Sequence, residues 1–201
     1  MRPPLLLASR SPRRRQLLEA LGLAVTVEDV EVDEKEPDSG STDAQIASVL
    51  EDNARRKAEA VLSRAPADAI VIAADTLVAV DGDTLSKPRG PEEARAMLRR
   101  LSGRSHQVIT GLALATAGRR TRTSHARTEV RFQALAPETI ERYVATREPY
   151  DKAGGYAIQG LAMLFVERIE GSYTNVMGLP LELFLVELEA FSGVDRYRWF
   201  S

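Results

Sequence analysis

The run AIVIA at residues 69–73 constrains the fold more than any other stretch, because no polar side chain interrupts it. A strand with one wet face alternates apolar and polar residues; a continuous apolar run has both faces covered, as in the middle of a sheet with helices packed on it. Asp75 and Thr76 follow closely, and LVAV continues extended into Asp81-Gly82, a strong hairpin signal. Ligands of open α/β sheets collect beyond the carboxyl ends of such strands. A carboxylate there can hold a divalent metal or take a proton from an attacking water, and Thr76 could set a hydroxyl against a substrate. The plainer alternative is a turn aspartate bonded to its own backbone.

Residues 5–21, LLLASRSPRRRQLLEAL, read as a short buried strand, a tight loop and an amphipathic helix. Pro12 suits the first helical position, with Ser11 before it as N-cap. Leu17, Leu18 and Leu21 supply an apolar stripe, and Gly22 ends the helix. Arg13, Arg14 and Arg15 run against the helix dipole, at about 0.3–1 kcal/mol each where exposed. Free N–H groups, the serines Ser9 and Ser11 and this much positive charge suit an anion. A solvated basic turn is the alternative.

The rest of the chain interleaves strands and helices. A strand over 25–32 runs into EVDEKE at 31–36, whose Glu31, Asp33, Glu34 and Glu36 are either hard oxygen ligands or a solvated face. A long helix starts near Thr42, which has capping-box spacing to Gln45. Ile46, Val49, Leu50, Ala54, Ala58, Val61 and Leu62 form its buried face, and Asn53 and Lys57, four apart, share one side beside it. A further helix from Pro91 carries Glu92 and Glu93 in its first turn, where acids belong. Strands over 107–116 and 121–135 flank an AGRR turn, and a short helix begins at Pro137. Then come the glycine-rich loop EPYDKAGGYAIQG at 148–160, a strand AMLFVERI at 162–169, a loop GSYTNVMG at 171–178 and a last helix over 179–191. In the first loop Gly154, Gly155 and Gly160 permit close backbone approach to a ligand. Asp151 and Lys152 add opposite charges there, Gln159 could read a base edge, and Tyr156, Ala157 and Ile158 give the loop something to pack. Lys57 and Lys87 could meet phosphate oxygens as point charges. His106 and His125 lack ligand-like spacing and are read as structural or surface residues. No repeat or linker divides the chain, so residues 1–201 are expected to form one mixed α/β domain with a cleft.

Composition narrows the function classes. With 201 residues, 44% hydrophobic and 28% charged, the chain belongs among soluble globular proteins. A net charge of −2 argues against a general binder of nucleic-acid polymers. Without cysteine there are no disulfides, thiol nucleophiles or thiolate metal sites. The three-leucine run near the start is too short for a signal peptide, and no apolar run approaches the ~20 residues of a membrane helix, so a cytoplasmic location without a membrane partner is expected. Walker A, GxGxxG and GxSxG motifs are absent. Basic groups, carboxylates and glycine loops together point to metal-assisted chemistry on a phosphate ester.

Several of these segments, in this order, resemble the Maf family of nucleoside triphosphate pyrophosphatases: LASRSPRRRQLL at 7–18, NARRKA at 53–58, AADTLVAVDGDTLSKP at 73–88, MLRRLSGRSHQVITG at 97–111, EPYDKAGGYAIQG at 148–160 and GSYTNVMGLPL at 171–181. The resemblance implies an inosine-triphosphatase-like (Maf/Ham1) α/β fold: a mixed twisted sheet with flanking helices, elongated, with a cleft between two lobes. It implies hydrolysis of a nucleoside triphosphate to the monophosphate and pyrophosphate with a divalent metal cation, Mg2+ or Mn2+. Asp75 would accept the proton of the attacking water and, with Glu34, lie near the metal. Ser9, Ser11, Arg13 and Arg14 would hold phosphates, Lys57 and Lys87 would assist, and Asp151 and Lys152 would join them in binding substrate. Arg13, Thr76 and Gln159 match positions associated with base choice. Threonine after that aspartate and glutamine in YAIQG resemble the branch acting on dTTP and UTP, with CTP or modified pyrimidine nucleotides as further candidates; the branch preferring 7-methylguanosine triphosphate usually has glutamine after the aspartate. Gly155 and Ala157 depart from the family's AYGIQG, and the Ala157 methyl could narrow a backbone approach. Hydrolysis of 7-methylguanosine triphosphate or another modified nucleotide, and a non-catalytic nucleotide-binding regulator of septum formation, are the competing readings. Intact Asp75, Glu34 and Lys87 favour the enzyme. The resemblance leaves a homodimer open and places Arg15 in solvent.

Overall fold

The computed structural model describes residues 2–118 and 120–200; Arg119, in the AGRR turn, lies outside them. The apolar run opens a strand longer than itself, β3 (Ile70–Val80), which carries Asp75 and Thr76 in its middle. Around it lie β1 (Leu5–Ala8), β2 (Val25–Glu28), β4 (Asp83–Leu85), β5 (Ser105–Ala115), β6 (Thr121–Phe132) and β7 (Val166–Glu170). The sheet order is β2-β1-β3-β5-β6-β7, with β4 paired to β3. β1 runs parallel to β2 and β3, and the β3–β5, β5–β6 and β6–β7 pairs are antiparallel. The mixed α/β sheet expected from the sequence is the one observed.

One edge of β3 is shared between two short strands. The β1 ladder ends at Leu7–Ile72 and the β4 ladder begins at Leu85–Val78, whereas β5 covers the other edge continuously. Residues 73–77 therefore face an opening in the sheet. Among the described residues six α-helices pack around this frame: α1 (Pro12–Ala20), α2 (Asp43–Val61), α3 (Pro91–Leu101), α4 (Pro137–Val144), α5 (Tyr173–Val176) and α6 (Leu181–Ser192). On one face of β3, Ile70, Ile72 and Ala74 pack with Leu17 and Leu18 of α1 and Phe184 and Leu188 of α6. Further along that face Val78 and Val80 pack with Leu98 of α3 and Ile140 of α4. These are two lobes, and Thr76 lies between them on β3.

The opposite face is covered by α2. Val71 and Ala73 meet Ala54, Ala58 and Val61, while Ala79 meets Ile46 and Leu50. The capping box forms: Thr42 N–H donates to Gln45 Oε1 at 2.8 Å, and Gln45 N–H to Thr42 Oγ1 at 3.4 Å. The helix comes close because Gly111, the cross-strand partner of Asp75, has no side chain. A methyl there would lie 2.4 Å from the Leu50 carbonyl carbon and 2.5 Å from Glu51 N. Asn53 and Lys57, further along α2, reach Asp75 as a result.

Several expectations change, among them the strand expected over 121–135, which stops at Phe132, and the last helix, which starts at Leu181. The second strand stops at Glu28 instead of running to residue 32. The segment AMLF is part of a 3-10 helix, Leu161–Phe165, because Glu148 accepts the N–H groups of Leu161 and Ala162 at 3.0 and 3.2 Å and turns the backbone. Residues 171–178 contain α5, started by Ser172 Oγ accepting from Asn175 N at 3.1 Å. Among the described residues no helix is long and apolar enough to cross a membrane.

Gly111→Ala should push α2 off the sheet and destabilise the fold by about 1–3 kcal/mol. Urea unfolding followed by circular dichroism checks this: a lowered midpoint is expected, and a wild-type midpoint would show that the close approach is not required.

Candidate active site

A cavity of about 530 Å³ opens where β3 lacks a neighbour. All the sequence-selected site residues line it: Ser9, Ser11, Arg13, Arg14, Glu34, Lys57, Asp75, Thr76, Lys87, Asp151, Lys152 and Gln159. Asp75 is the fixed point, 8% exposed. Its Oδ1 accepts from Lys57 Nζ at 2.7 Å and its Oδ2 from Asn53 Nδ2 at 2.8 Å. An ammonium and an amide thus compensate the burial of one carboxylate, which would otherwise be costly. Lys57 Nζ also lies 2.7 Å from Glu34 Oε1, so two carboxylates converge on one cation.

Asn53 completes this group, and only its proximity to Lys57 on the helix hinted at it. Besides holding Asp75, its Nδ2 donates to Lys35 O and its Oδ1 accepts from Lys35 N, each at 2.9 Å. One side-chain amide therefore ties the acidic loop, one residue past Glu34, to the carboxylate on β3. A second tie runs from Lys35 Nζ to Asp52 Oδ2 at 2.8 Å.

The three arginines of α1 diverge. Arg14 turns inward: Nε donates to Gly178 O at 2.7 Å, Nη2 to Thr76 Oγ1 at 3.1 Å and Nη1 to Ser9 Oγ at 3.3 Å. Burial lowers its pKa, while the Asp75 charge opposes that shift. Arg13 reaches across the cavity to Asp151 Oδ2 at 3.2 Å. Arg15 stays outside and pairs with Glu19 at 2.7 Å. Ser11 occupies the N-cap position, but its side chain makes no capping bond; its N–H donates to Ser9 Oγ at 3.1 Å. The first turn of α1 thus faces the cavity with cations that are directed away from the helix axis.

The 148–160 loop forms the far wall. Asp151 receives Lys152 as well as Arg13, and Lys152 Nζ also donates to Glu148 O at 2.7 Å. Gly154 has φ +69°, and a side chain there would also press on Val78 at 3.0 Å; its N–H donates to Ser86 O at 3.0 Å. Tyr156 is buried, with its hydroxyl 2.7 Å from His106 Nε2 and its ring edge-on to Phe132. Burial pushes His106 down to about 4, so it is a neutral structural residue near pH 7. Ala157 lines the cavity with Gln159, whose side chain makes no hydrogen bond among the described residues. Lys87 likewise has no acidic partner there, and the cavity wall adds Arg10 and Arg89, which the motif reading did not select.

The chemistry such a wall offers is specific: a buried carboxylate beside a second one, and a ring of cations around open space. The Maf-like protein family model matches residues 4–191. The chain belongs to the Maf-like family. A relative named dTTP/UTP pyrophosphatase from Moorella thermoacetica is 49% identical over 192 residues, covering 95% of this chain and 96% of that protein. One of the same name from Desulforamulus reducens is 46% identical over 194 residues, covering 96% and 98%, and one from Pelotomaculum thermopropionicum is 48% identical over 178 residues, covering 88% and 91%. Among solved structures, the Ham1 protein of Staphylococcus aureus aligns at 18% identity with a TM-score of 0.45 over 64% of this Maf-like chain and 71% of that one.

Asn53→Ala removes the tie while leaving Asp75 its lysine. It should lower thermal stability by about 1–3 kcal/mol and reduce turnover more than substrate affinity, because the buried carboxylate keeps one partner and loses its orientation. A melting curve and a kcat against KM comparison check this; a wild-type kcat in the variant would leave Asn53 a purely structural residue.

Proposed function

We propose that the protein hydrolyses dTTP and UTP to the nucleoside monophosphate and pyrophosphate. The observation that carries this reading is Asp75, buried and oriented by Lys57 and Asn53 at the wall of a cavity rich in arginine and lysine. The names of the relatives at 46–49% identity support the same substrates. Each Asp75 oxygen spends one acceptor site on Lys57 or Asn53 and retains another. Such an oxygen can take a proton from a water that attacks the α-phosphorus. The bond from that phosphorus to the bridging oxygen then breaks, and pyrophosphate leaves. Negative charge grows on the leaving group, and the surrounding cations stabilise it as it develops. Among the described residues Lys87 has no carboxylate to give up before it meets a phosphate, whereas Arg13 must exchange Asp151 for one.

A divalent cation, Mg2+ or Mn2+, fits the donor set. Glu34 and Asp75 converge on the single Lys57 ammonium, and no cluster of three or more histidine, aspartate or glutamate ligands occurs among the described residues. Mg2+ is usually held by one or two carboxylates, with phosphate oxygens and water completing its octahedron. When bound, such an ion neutralises phosphate charge as a Lewis acid. The substrate class requires a nucleotide pool, so a cytoplasmic location belongs to this reading, and neither a nucleic-acid polymer nor a membrane has a role in it.

Purified protein with Mg2+ or Mn2+ should convert UTP and dTTP to monophosphate and pyrophosphate in a chromatographic assay of a triphosphate panel. No turnover of either, or release of inorganic phosphate without pyrophosphate, would overturn the reading. Asp75→Asn should fold and lose about 10²–10⁴-fold in kcat. Arg13→Ala should lose at least about tenfold in kcat/KM through a charge-assisted contact, and Arg15→Ala should match the wild type. Equal behaviour of the two arginine variants would remove Arg13 from the site.

A further inference from the structure

A chain of hydroxyl groups leads inward from the cavity and determines which way its protons point. Thr76 Oγ1 accepts from Arg14 Nη2 at 3.1 Å and lies 3.0 Å from Thr110 Oγ1. Thr110 is wholly buried on β5, directly across from Thr76 in the β3–β5 register. Its hydroxyl lies 3.3 Å from the carbonyl oxygen of Asn175, which is also buried. That carbonyl is held in place, because the Asn175 side chain donates to Val108 O and Thr128 Oγ1, both at 3.0 Å, and its N–H donates to Ser172 Oγ.

Each threonine hydroxyl has one proton and two acceptor sites. If Thr110 donates to Asn175 O, Thr76 donates to Thr110 and both protons are used. If Thr110 instead donates to Thr76, the Thr76 proton has no acceptor among the described residues, and the Asn175 carbonyl loses a donor. The first order makes one hydrogen bond more. In that order Thr76 has one lone pair on Arg14, its proton on Thr110, and one lone pair left for the cavity it lines.

We infer that Thr110 sets Thr76 as a hydrogen-bond acceptor toward the substrate, and that Thr76 reads the N3–H of a uracil or thymine ring. The inference rests on the pyrimidine triphosphate reading proposed above and deepens it. Uracil and thymine present one N–H donor, N3–H, between two carbonyl oxygens. Cytosine presents an unprotonated N3 at the same place, which needs a donor. To supply one, Thr76 must turn its proton away from Thr110, and the relay keeps one hydrogen bond of its two, a bias of about fivefold for one neutral hydrogen bond. Thr110 touches no substrate; it is a positioning residue.

Thr110→Val is nearly isosteric and removes the relay. The Asn175 carbonyl keeps the Gly178 N–H at 2.9 Å, so no buried acceptor is orphaned. Freed of Thr110, the Thr76 proton can serve a base acceptor. The ratio of kcat/KM for UTP to that for CTP should fall about fivefold in Thr110→Val, and Thr110→Ser should restore it. An unchanged ratio in Thr110→Val, or the same fall in Thr110→Ser, overturns the inference and leaves the proposed activity standing. If Thr110→Val does not fold, the wild type decides with 3-methyluridine triphosphate in competition with UTP. Loss of at least about fivefold in kcat/KM is expected when N3–H is replaced, and equal use of the two overturns the inference. A wild type that cleaves neither UTP nor dTTP removes the proposed activity, and this inference with it.

Discussion

The close approach of α2 to the sheet at Gly111 is the contact on which the rest of the site depends. A helix laid on a sheet normally stands off by the length of the side chains between them. At Gly111 there is none, and the backbone at Leu50 and Glu51 lies where a methyl would be. The residue paired across from Gly111 is Asp75. The same register that lets the helix descend therefore places the carboxylate beside it, within 2.8 Å of an asparagine and 2.7 Å of a lysine from that helix. A shift of one residue in the β3–β5 pairing would turn Asp75 to the other face. It would also remove the glycine from beneath the helix.

The opening in the sheet explains a second feature. Asp75 and Thr76 are consecutive in a strand, so their side chains leave opposite faces. Asp75 meets α2, whereas Thr76 meets Arg14 and Thr110. They serve one cavity because β1 stops before them and β4 starts after them, which exposes the edge of β3 from both sides. One wall of that cavity holds the carboxylates and the other holds the hydroxyl relay. Arg13 and Arg14, set against the dipole of their own helix, are stabilised by groups outside it: Asp151, Gly178, Ser9 and Thr76. Unfavourable local charge is retained where it faces an anion site.

Much of this could be read from the sequence wherever a local rule was enough. The apolar run became β3, Thr42 and Gln45 formed their capping box, and Asp81-Gly82 turned the β3–β4 hairpin. The residues that line the cavity could be chosen because arginines and lysines in a helix's first turn or beside an apolar stripe, and a carboxylate just after a continuous apolar run, are unusual where they stand; that one strand runs unbroken past Asp75 was not expected. Three things were not visible, each because its cause lies far away in the chain. The AMLF segment has strand composition, but Glu148, thirteen residues before Leu161, caps its backbone into a 3-10 turn. Asn53 looks like a polar residue flanking a helix stripe until the backbone of Lys35 arrives beside it. Thr110 reads as an ordinary strand threonine, and only the register with Thr76 and the position of α5 give its hydroxyl a direction.

The central claim is that Asp75 deprotonates a water that attacks the α-phosphorus. Hydrolysis of UTP in water enriched with oxygen-18, with mass analysis of both products, tests it most directly. One labelled oxygen in the monophosphate and none in the pyrophosphate is the predicted result. Label in the pyrophosphate would mean attack at the β-phosphorus, and would contradict the geometry assigned to Asp75.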